Sequence, residues 1–515
     1  MTSGSGDCLA AQTQGQVITK RRVFLNAIMA TVQVVVTGLS MIILFRFLLD
    51  TIGIDKIGIW SLVLATTNVT RISELGFANS ALLSVSRYLA KGDSPQAAQV
   101  IETAAITVAG FSGIVLLALY AFLQWGIAQL VPSAALAEAL TLLPYAVGSL
   151  WCSIVASTVH SGLDGIQRAD LRSLLLISSQ LVLLGGVVLW VPSMGLEGVA
   201  LAQLIQALWG LLIGWATLRW KLKGLSLAPF RWSRRLFLEM FSYAANFQLN
   251  GVVQLLFEPT TKALLSRWGS LADVGYFEMA NRLILQIRSL LVAGNQVMVP
   301  VVTTQNERSP SSIAATYTRC YDIMLYVAVP MYSLVFILIP LISEVWIGQY
   351  EPTFVTFVFL LMPSWALNTA TVPAYLAFVG IGRLRWNTIS HMLMGITNLL
   401  LGYILGHMFG SIGVIVGTCV ALLVGSLVTL VPFHAEHHVD LHCLAPQDSR
   451  GLVAWSIFGV GGGLFVYYLL HDAVALWIVA VLVCGLFLGL VSPSMWRHRI
   501  RTFLVDGIRE LCYLR

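Results

Sequence analysis

The sequence predicts an all-α integral membrane protein of about fourteen transmembrane helices. They form two parallel-repeat six-helix lobes around a central cavity, with a helix pair at the C-terminal end. Three observations predict this. Of 515 residues, 57% are hydrophobic and only 10% charged, where soluble domains carry about 25% charged residues. Apolar windows of about 20 residues, enough to cross a bilayer, take up most of the chain, whose mean hydropathy is +0.83. Finally, short motifs recur in the same order and direction in the two halves.

Residues 1–22 form a polar tail that ends in Lys20, Arg21 and Arg22. The run from Val23 to Leu49 is too long for a signal-peptide core and lacks a small-residue cleavage site, so it reads as the first span. Spans follow near 57–86, 100–124, 139–161, 171–191 and 195–218, which completes an N-lobe over 23–218. A basic linker, 219–240, leads to a C-lobe over 241–432 with spans 241–266, 274–303, 319–343, 353–379, 386–408 and 410–432. A histidine-rich linker, 433–451, precedes spans 452–470 and 473–493, and 494–515 is a basic tail. Arginine and lysine crowd the alternate loops (Arg87 and Lys91, Arg168 and Arg172, Arg219 to Arg235, Arg383 and Arg385), while the opposite loops hold few. By the positive-inside rule both termini are cytoplasmic.

The repeat is legible at three separated places. IGIW (57–60) lies over VGYF (274–277) at an offset of 217, GIQR (165–168) over GIGR (380–383), and Gly195, Gly198 and Val199 over Gly410, Gly413 and Val414, both at 215. A parallel repeat implies lobes related by an axis along the membrane normal, with a substrate cleft between them.

Charges inside the spans point into that cleft. Arg71 maps onto Arg288, each about fourteen residues from the outer end of its helix, or roughly 21 Å deep at 1.5 Å per residue. An arginine at that depth is costly, at least ~2.5–3.5 kcal/mol on insertion scales. Two at equivalent depths suggest a pair of cations facing each other across the cleft; the alternative for Arg71 is a structural pairing with Glu74. Thr67, Arg71 and Glu74 read as one helical face. Glu278 and Arg282 form an i,i+4 pair, beside a stripe of Asn281, Arg288 and Asn295. Asn246, Asn250, Gln254, Glu258 and Thr261 form a stripe on the seventh span, which Pro259 is expected to bend. Lys262 is expected to snorkel to the interface, Asp322 to be a solvated helix-start carboxylate, and Arg46 to mark the outer end of the first span.

Several function classes are disfavoured. The excess of six positive charges sits in loops where it sets orientation, so nucleic acid is not the expected partner. The seven cysteines form no CxxC. His434, His438 and His442 step by four in a linker, but no metal site is expected. No GxxxxGK[ST] loop and no DxD-type carboxylate pair for metal-assisted transfer occur, so no catalytic residue and no resident cofactor are expected.

The chain resembles the polysaccharide transporters, including Wzx-type O-antigen flippases, of the multidrug/oligosaccharidyl-lipid/polysaccharide exporter superfamily. IGIWSLVLATTNVTRISELGFANS, KALLSRWGSLADVGYFEMANRL, VWIGQY, GIQR and GIGR carry the resemblance. It implies a flippase in the bacterial inner membrane that moves an undecaprenyl-diphosphate-linked oligosaccharide to the outer leaflet by alternating access. It also implies a proton gradient, a sodium gradient or the membrane potential as driving force, and a polysaccharide polymerase or ligase as partner alongside membrane lipids. Arg71, Arg288, Arg282, Asn250 and Gln254 are the positions to hold diphosphate and sugar, and Glu74, Glu258 and Glu278 those to couple an ion. The first span offers only Asn26, Gln33 and Arg46, which points away from lipid II as the substrate. A multidrug/cation antiporter of the same superfamily is the alternative, and a membrane-bound transferase a more distant one.

Overall fold

The computed structural model describes residues 20–74, 76–296, 298–444 and 446–502, which are helical with short connections and no strand. They divide into two compact units, one ending at Leu255 and one beginning at Leu256, each considered by itself.

The first unit contains α1 (Lys20–Ile52), α2 (Ile54–Asn68), α3 (Phe77–Ala90), α4 (Ser94–Leu130), α5 (Ser133–Gly165), α6 (Ala169–Met194) and α7 (Leu196–Lys221). Asp93 starts α4 by accepting the Gln96 N–H at 3.0 Å, with Pro95 in the first turn, the usual chemistry of a helix N-terminus. α5 packs on α4 and α7, α6 on α1 and α7, and α3 on α4 and α5. Phe77, Val85, Ile101, Ile154, Leu163 and Leu218 form the buried centre of this packing.

The linker after α7 is held by one carboxylate. Glu102 of α4, fully buried, accepts from the Ser226 N–H (3.0 Å) and Oγ (2.8 Å) and from the Arg231 N–H (3.0 Å) and Nη2 (2.6 Å). Both oxygens are satisfied, so a buried charge that would otherwise be costly ties the linker to the bundle. The hydrogen bond to Glu102 in turn raises the Arg231 guanidinium above its ordinary value.

From α8 (Arg234–Trp268) the chain continues into α9 (Leu271–Asn295), α10 (Met298–Arg308), α11 (Ile313–Trp346), α12 (Pro352–Ala370), α13 (Val372–Ile381), α14 (Arg385–Glu436), α15 (Gln447–Leu470) and α16 (Leu476–Arg497). Ser270 and Asp273 form a reciprocal capping box at the start of α9. α12 packs on α9, α11 and α14, and the terminal pair α15–α16 packs on α11 through Ile337, Tyr467, Val483 and Phe487.

Eleven helical stretches among the described residues are long and apolar enough to cross a membrane. One of them, α14, holds the two expected spans 386–408 and 410–432, divided at Gly410 (φ 64, ψ −145). The expected spans 57–86 and 241–266 are not among the eleven. The first is broken: after Asn68 the chain tightens into a 3₁₀ turn, Val69–Glu74, and Gly76 adopts φ 68 before α3 begins. Thr67, Arg71 and Glu74 therefore do not continue one α-helical face. Span 274–303 likewise divides into α9 and α10, and span 353–379 into α12 and α13. α8, by contrast, runs through Pro259 as one helix. The histidines do not step along a helix either, because α14 ends at Glu436 and His438 lies at φ 51. No group of metal-binding side chains occurs among the described residues.

Candidate functional site

The polar residues that interrupt α8 and α9 meet. Glu258 and Lys262 are one turn apart on α8, as are Glu278 and Arg282 on α9, and Gly269 and Ser270 reverse the chain between the two helices. Lys262 Nζ lies 2.5 Å from Glu258 Oε1 and 2.6 Å from Glu278 Oε2, and Arg282 Nε lies 2.7 Å from Glu278 Oε1. The Lys262 side chain is 3% exposed and that of Glu278 is 2%. Lys262 thus does not snorkel; two carboxylates keep its ammonium inside. Taking a charge out of water costs several kcal/mol per ion, recovered only where partners satisfy it, and here cations and carboxylates alternate with no net charge. Beside the cluster, Asn398 of α14 donates to Thr261 Oγ1 (2.9 Å) and to the Phe257 carbonyl (3.1 Å), and Thr418 donates to Asn398 Oδ1 (3.0 Å). This network ties α8 to both arms of α14.

Arg288 has a different environment. Its Nη2 is 3.4 Å from Asn368 Oδ1, and its guanidinium carbon lies 5.4 Å from the centre of the Trp365 ring. Tyr332, Tyr375 and His391 stand near enough to feel its charge. Nε is buried with no hydrogen-bond partner, and no carboxylate pairs with Arg288 among the described residues. A cation–π contact and one weak hydrogen bond leave donors for a ligand. The sequence reading missed Trp365, Asn368, Tyr332 and Tyr375; the signal for Trp365 and Asn368 is the polar interruption of an apolar run at WALNT, and the two tyrosines carry none.

In the first unit Arg71 stands in the 3₁₀ turn, its Nε 3.7 Å from Glu74 Oε2, and Ser157 Oγ donates to Glu74 Oε1 at 2.9 Å. Thr67 is buried and bonds back to the Val63 carbonyl at 3.0 Å. Asn295 donates to its own helix at Leu291, and Arg46 pairs with Asp50 at 2.9 Å near the end of α1. Asn246, Asn250 and Gln254 fall on α8, but their side chains lie outside the described residues. Asp322 is not solvated: it is 7% exposed, well inside α11.

The fold is that of known transporters. The structure described as lipid II flippase MurJ in an inward closed conformation superposes with a TM-score of 0.68 at 13% identity, covering 92% of this chain and all of that one. An inward-facing multidrug resistance transporter of the MATE family, in the MOP superfamily, gives 0.63 at 14% identity over 78% of this chain and 94% of that one. The Vibrio cholerae MATE transporter VcmN in its bent form gives 0.53 at 14% identity, over 81% and 98%. No curated protein sequence matches. The sequence profile of the polysaccharide biosynthesis protein family matches residues 26–305. Transporters and flippases, and not enzymes, make up this company. With more than half its length matched, and with an all-helical, multi-span fold, the chain belongs to the polysaccharide biosynthesis protein family.

Proposed function

We propose that the protein flips an undecaprenyl-diphosphate-linked oligosaccharide from the cytoplasmic to the outer leaflet of a bacterial inner membrane, for cell-surface polysaccharide such as O-antigen or lipopolysaccharide. The observation that carries the reading is Arg288: a guanidinium within a membrane-crossing segment, stacked on Trp365, with a buried donor left over. A diphosphate suits it, because the planar fork binds phosphate oxygens bidentately and keeps its charge when buried. Arg71, its repeat equivalent, is the second cation of the proposal, with Arg282, Asn250 and Gln254 as sugar and phosphate contacts. Lobes 23–218 and 241–432 would rock about the substrate, and no covalent step is needed.

For the driving force, a proton or sodium gradient or the membrane potential, the three carboxylates differ. Both oxygens of Glu278 are committed to cations. Glu258, 39% exposed, and Glu74, 22% exposed, have room to exchange an ion, and Glu258 is the better placed because it shares Lys262. The test is transport of a fluorescent lipid-linked oligosaccharide into vesicles under imposed gradients. Arg288→Ala is expected to lower the rate at least about tenfold, the worth of one charge-assisted contact, with Arg71→Ala next. Full flipping by properly inserted Arg288→Ala protein would remove the reading. The aromatic wall of Trp365, Tyr332 and Tyr375 is what favours the rival, a drug or cation antiporter. Raised drug resistance in cells overexpressing the chain, without flipping in vesicles, would select it.

A further inference from the structure

A second polar site lies on α11, apart from the cluster on α8 and α9. A cavity of about 610 Å³ opens between α11 and the residues after α16, lined by Thr318, Arg319, Asp322 and Arg499. Asp322 is more than nine-tenths buried, and its Oδ1 has no hydrogen-bond partner. Arg499 Nη2 stands 3.9 Å from its other oxygen, beyond hydrogen-bonding distance. A buried carboxylate oxygen left without a donor carries a full desolvation penalty, so the site calls for an N–H donor from outside. Arg319, one turn earlier, also lines a second cavity of about 530 Å³, an apolar groove with Leu290, Met298, Ile323 and Val327 on its walls. The level suits a bilayer surface: the apolar α16 ends at exposed Trp496, with Arg501 stacked on the indole at 3.3 Å. Aromatic and basic residues gather there in membrane proteins.

An ammonium donor, a phosphate for two arginines and an apolar chain for the groove belong together in one kind of molecule. We propose that this is a phospholipid site for a zwitterionic headgroup with a primary ammonium, as in phosphatidylethanolamine. The ammonium bonds Asp322, the phosphate lies between Arg319 and Arg499, and one acyl chain enters the groove. A quaternary ammonium has no N–H for Oδ1, and a glycerol headgroup brings no positive charge. The site needs nothing from the transport reading.

Native mass spectrometry of the full-length protein in detergent, titrated with phosphatidylethanolamine, phosphatidylglycerol or phosphatidylcholine, tests it. Wild type is expected to hold phosphatidylethanolamine about tenfold more tightly than the other two, Asp322→Asn to lose that preference, and Arg499→Ala to weaken phosphatidylethanolamine and phosphatidylglycerol alike. The Arg499 side chain is largely in solvent, so Arg499→Ala reports even if Asp322→Asn fails to fold. Equal retention of the three lipids by wild type, an unchanged preference in Asp322→Asn, or unchanged binding in Arg499→Ala overturns the proposal.

Discussion

The two halves of the chain repeat their backbone devices closely and their buried polar residues hardly at all. Gly195 and Gly410 adopt the same unusual conformation (φ 57, ψ −130 and φ 64, ψ −145). Three residues on, Gly198 and Gly413 lie against the backbone of Trp190 and Leu405, which are themselves repeat equivalents. Ser86 donates to the Gly165 carbonyl at 3.2 Å, and Thr303, its equivalent, donates to that of Gly380 at 3.0 Å. Then the likeness stops. Lys262 and Glu278 correspond at an offset of 217 to Phe45 and Ser61, both buried. Turn geometry and close packing are therefore the constrained inheritance of the repeat, while the Lys262–Glu278 pair occurs in one copy only.

Breaking the ion cluster gives the largest expected effect. Lys262→Met takes from Glu278 Oε2 its cation and leaves only Arg282 on the other oxygen, and removal of one partner from a buried pair costs about 3–5 kcal/mol; the thermal unfolding temperature in detergent should drop accordingly. Installing the first half's residues together, Lys262→Phe with Glu278→Ser, should recover most of the loss because no buried charge is left unpaired. A double variant as unstable as the single one would mean that the second half cannot accept the first half's solution.

Next come the shared glycines. A Cβ at Gly413 would collide with the Leu405 carbonyl, and one at Gly198 would lie 2.8 Å from the Trp190 backbone. Overpacking against backbone costs about 1–3 kcal/mol, so Gly413→Ala and Gly198→Ala should both destabilise, Gly413→Ala more. Melting curves of the two variants compare the tightness of the same turn in each copy.

The helical membrane class was legible in composition, and the repeat in GIQR, GIGR and the G-x-x-G-V pairs, because each of these motifs answers a local demand of the backbone. Gly410 even placed the boundary inside a helix that otherwise runs from Arg385 to Glu436. The breaks at Val69–Glu74 and at Gln296 were hidden, since neither carries proline and apolar residues continue across both. Buried charge was the hardest to read. Lys262 lies near a helix end, where snorkelling is the ordinary outcome. Only the meeting of α8 and α9, a tertiary fact, supplies the second carboxylate that holds it inside. Glu102 was missed because its partners lie at Ser226 and Arg231, more than a hundred residues away.

A smaller effect is expected where the copies fill one backbone position differently. Gln167 at φ 59 and Gly382 at φ 79 end the helices before GIQR's and GIGR's arginines. The left-handed region costs an L-residue about 1–2 kcal/mol that glycine avoids. Gly382→Gln should therefore lose about 1 kcal/mol in a thermal melt, while Gln167→Gly should gain less, because glycine has more freedom to lose on folding. Equal and opposite shifts would instead place the whole difference in the folded turn.

The smallest effect belongs to the segment that has no counterpart in the first half. His498 follows α16 and is buried: its Nδ1 accepts the Ile500 N–H at 3.2 Å, which places the ring proton on Nε2, 3.1 Å from Ser449 Oγ. Burial, and the nearby Arg499, hold the imidazole below its ordinary value against the pull of Asp448. Above an undocked value of about 6.5 the ring is neutral whether docked or free, and docking has its full strength. As the pH falls below that, the free imidazole takes a proton first, and protonation of the docked ring removes the lone pair that Ile500 needs, so docking weakens towards the lower docked value. Hydrogen exchange of amides 498–502, corrected for intrinsic rates, should lose protection between pH 7.5 and 5.5 in wild type and stay level in His498→Gln. Equal losses in the two proteins would mean that the pH response does not come from His498.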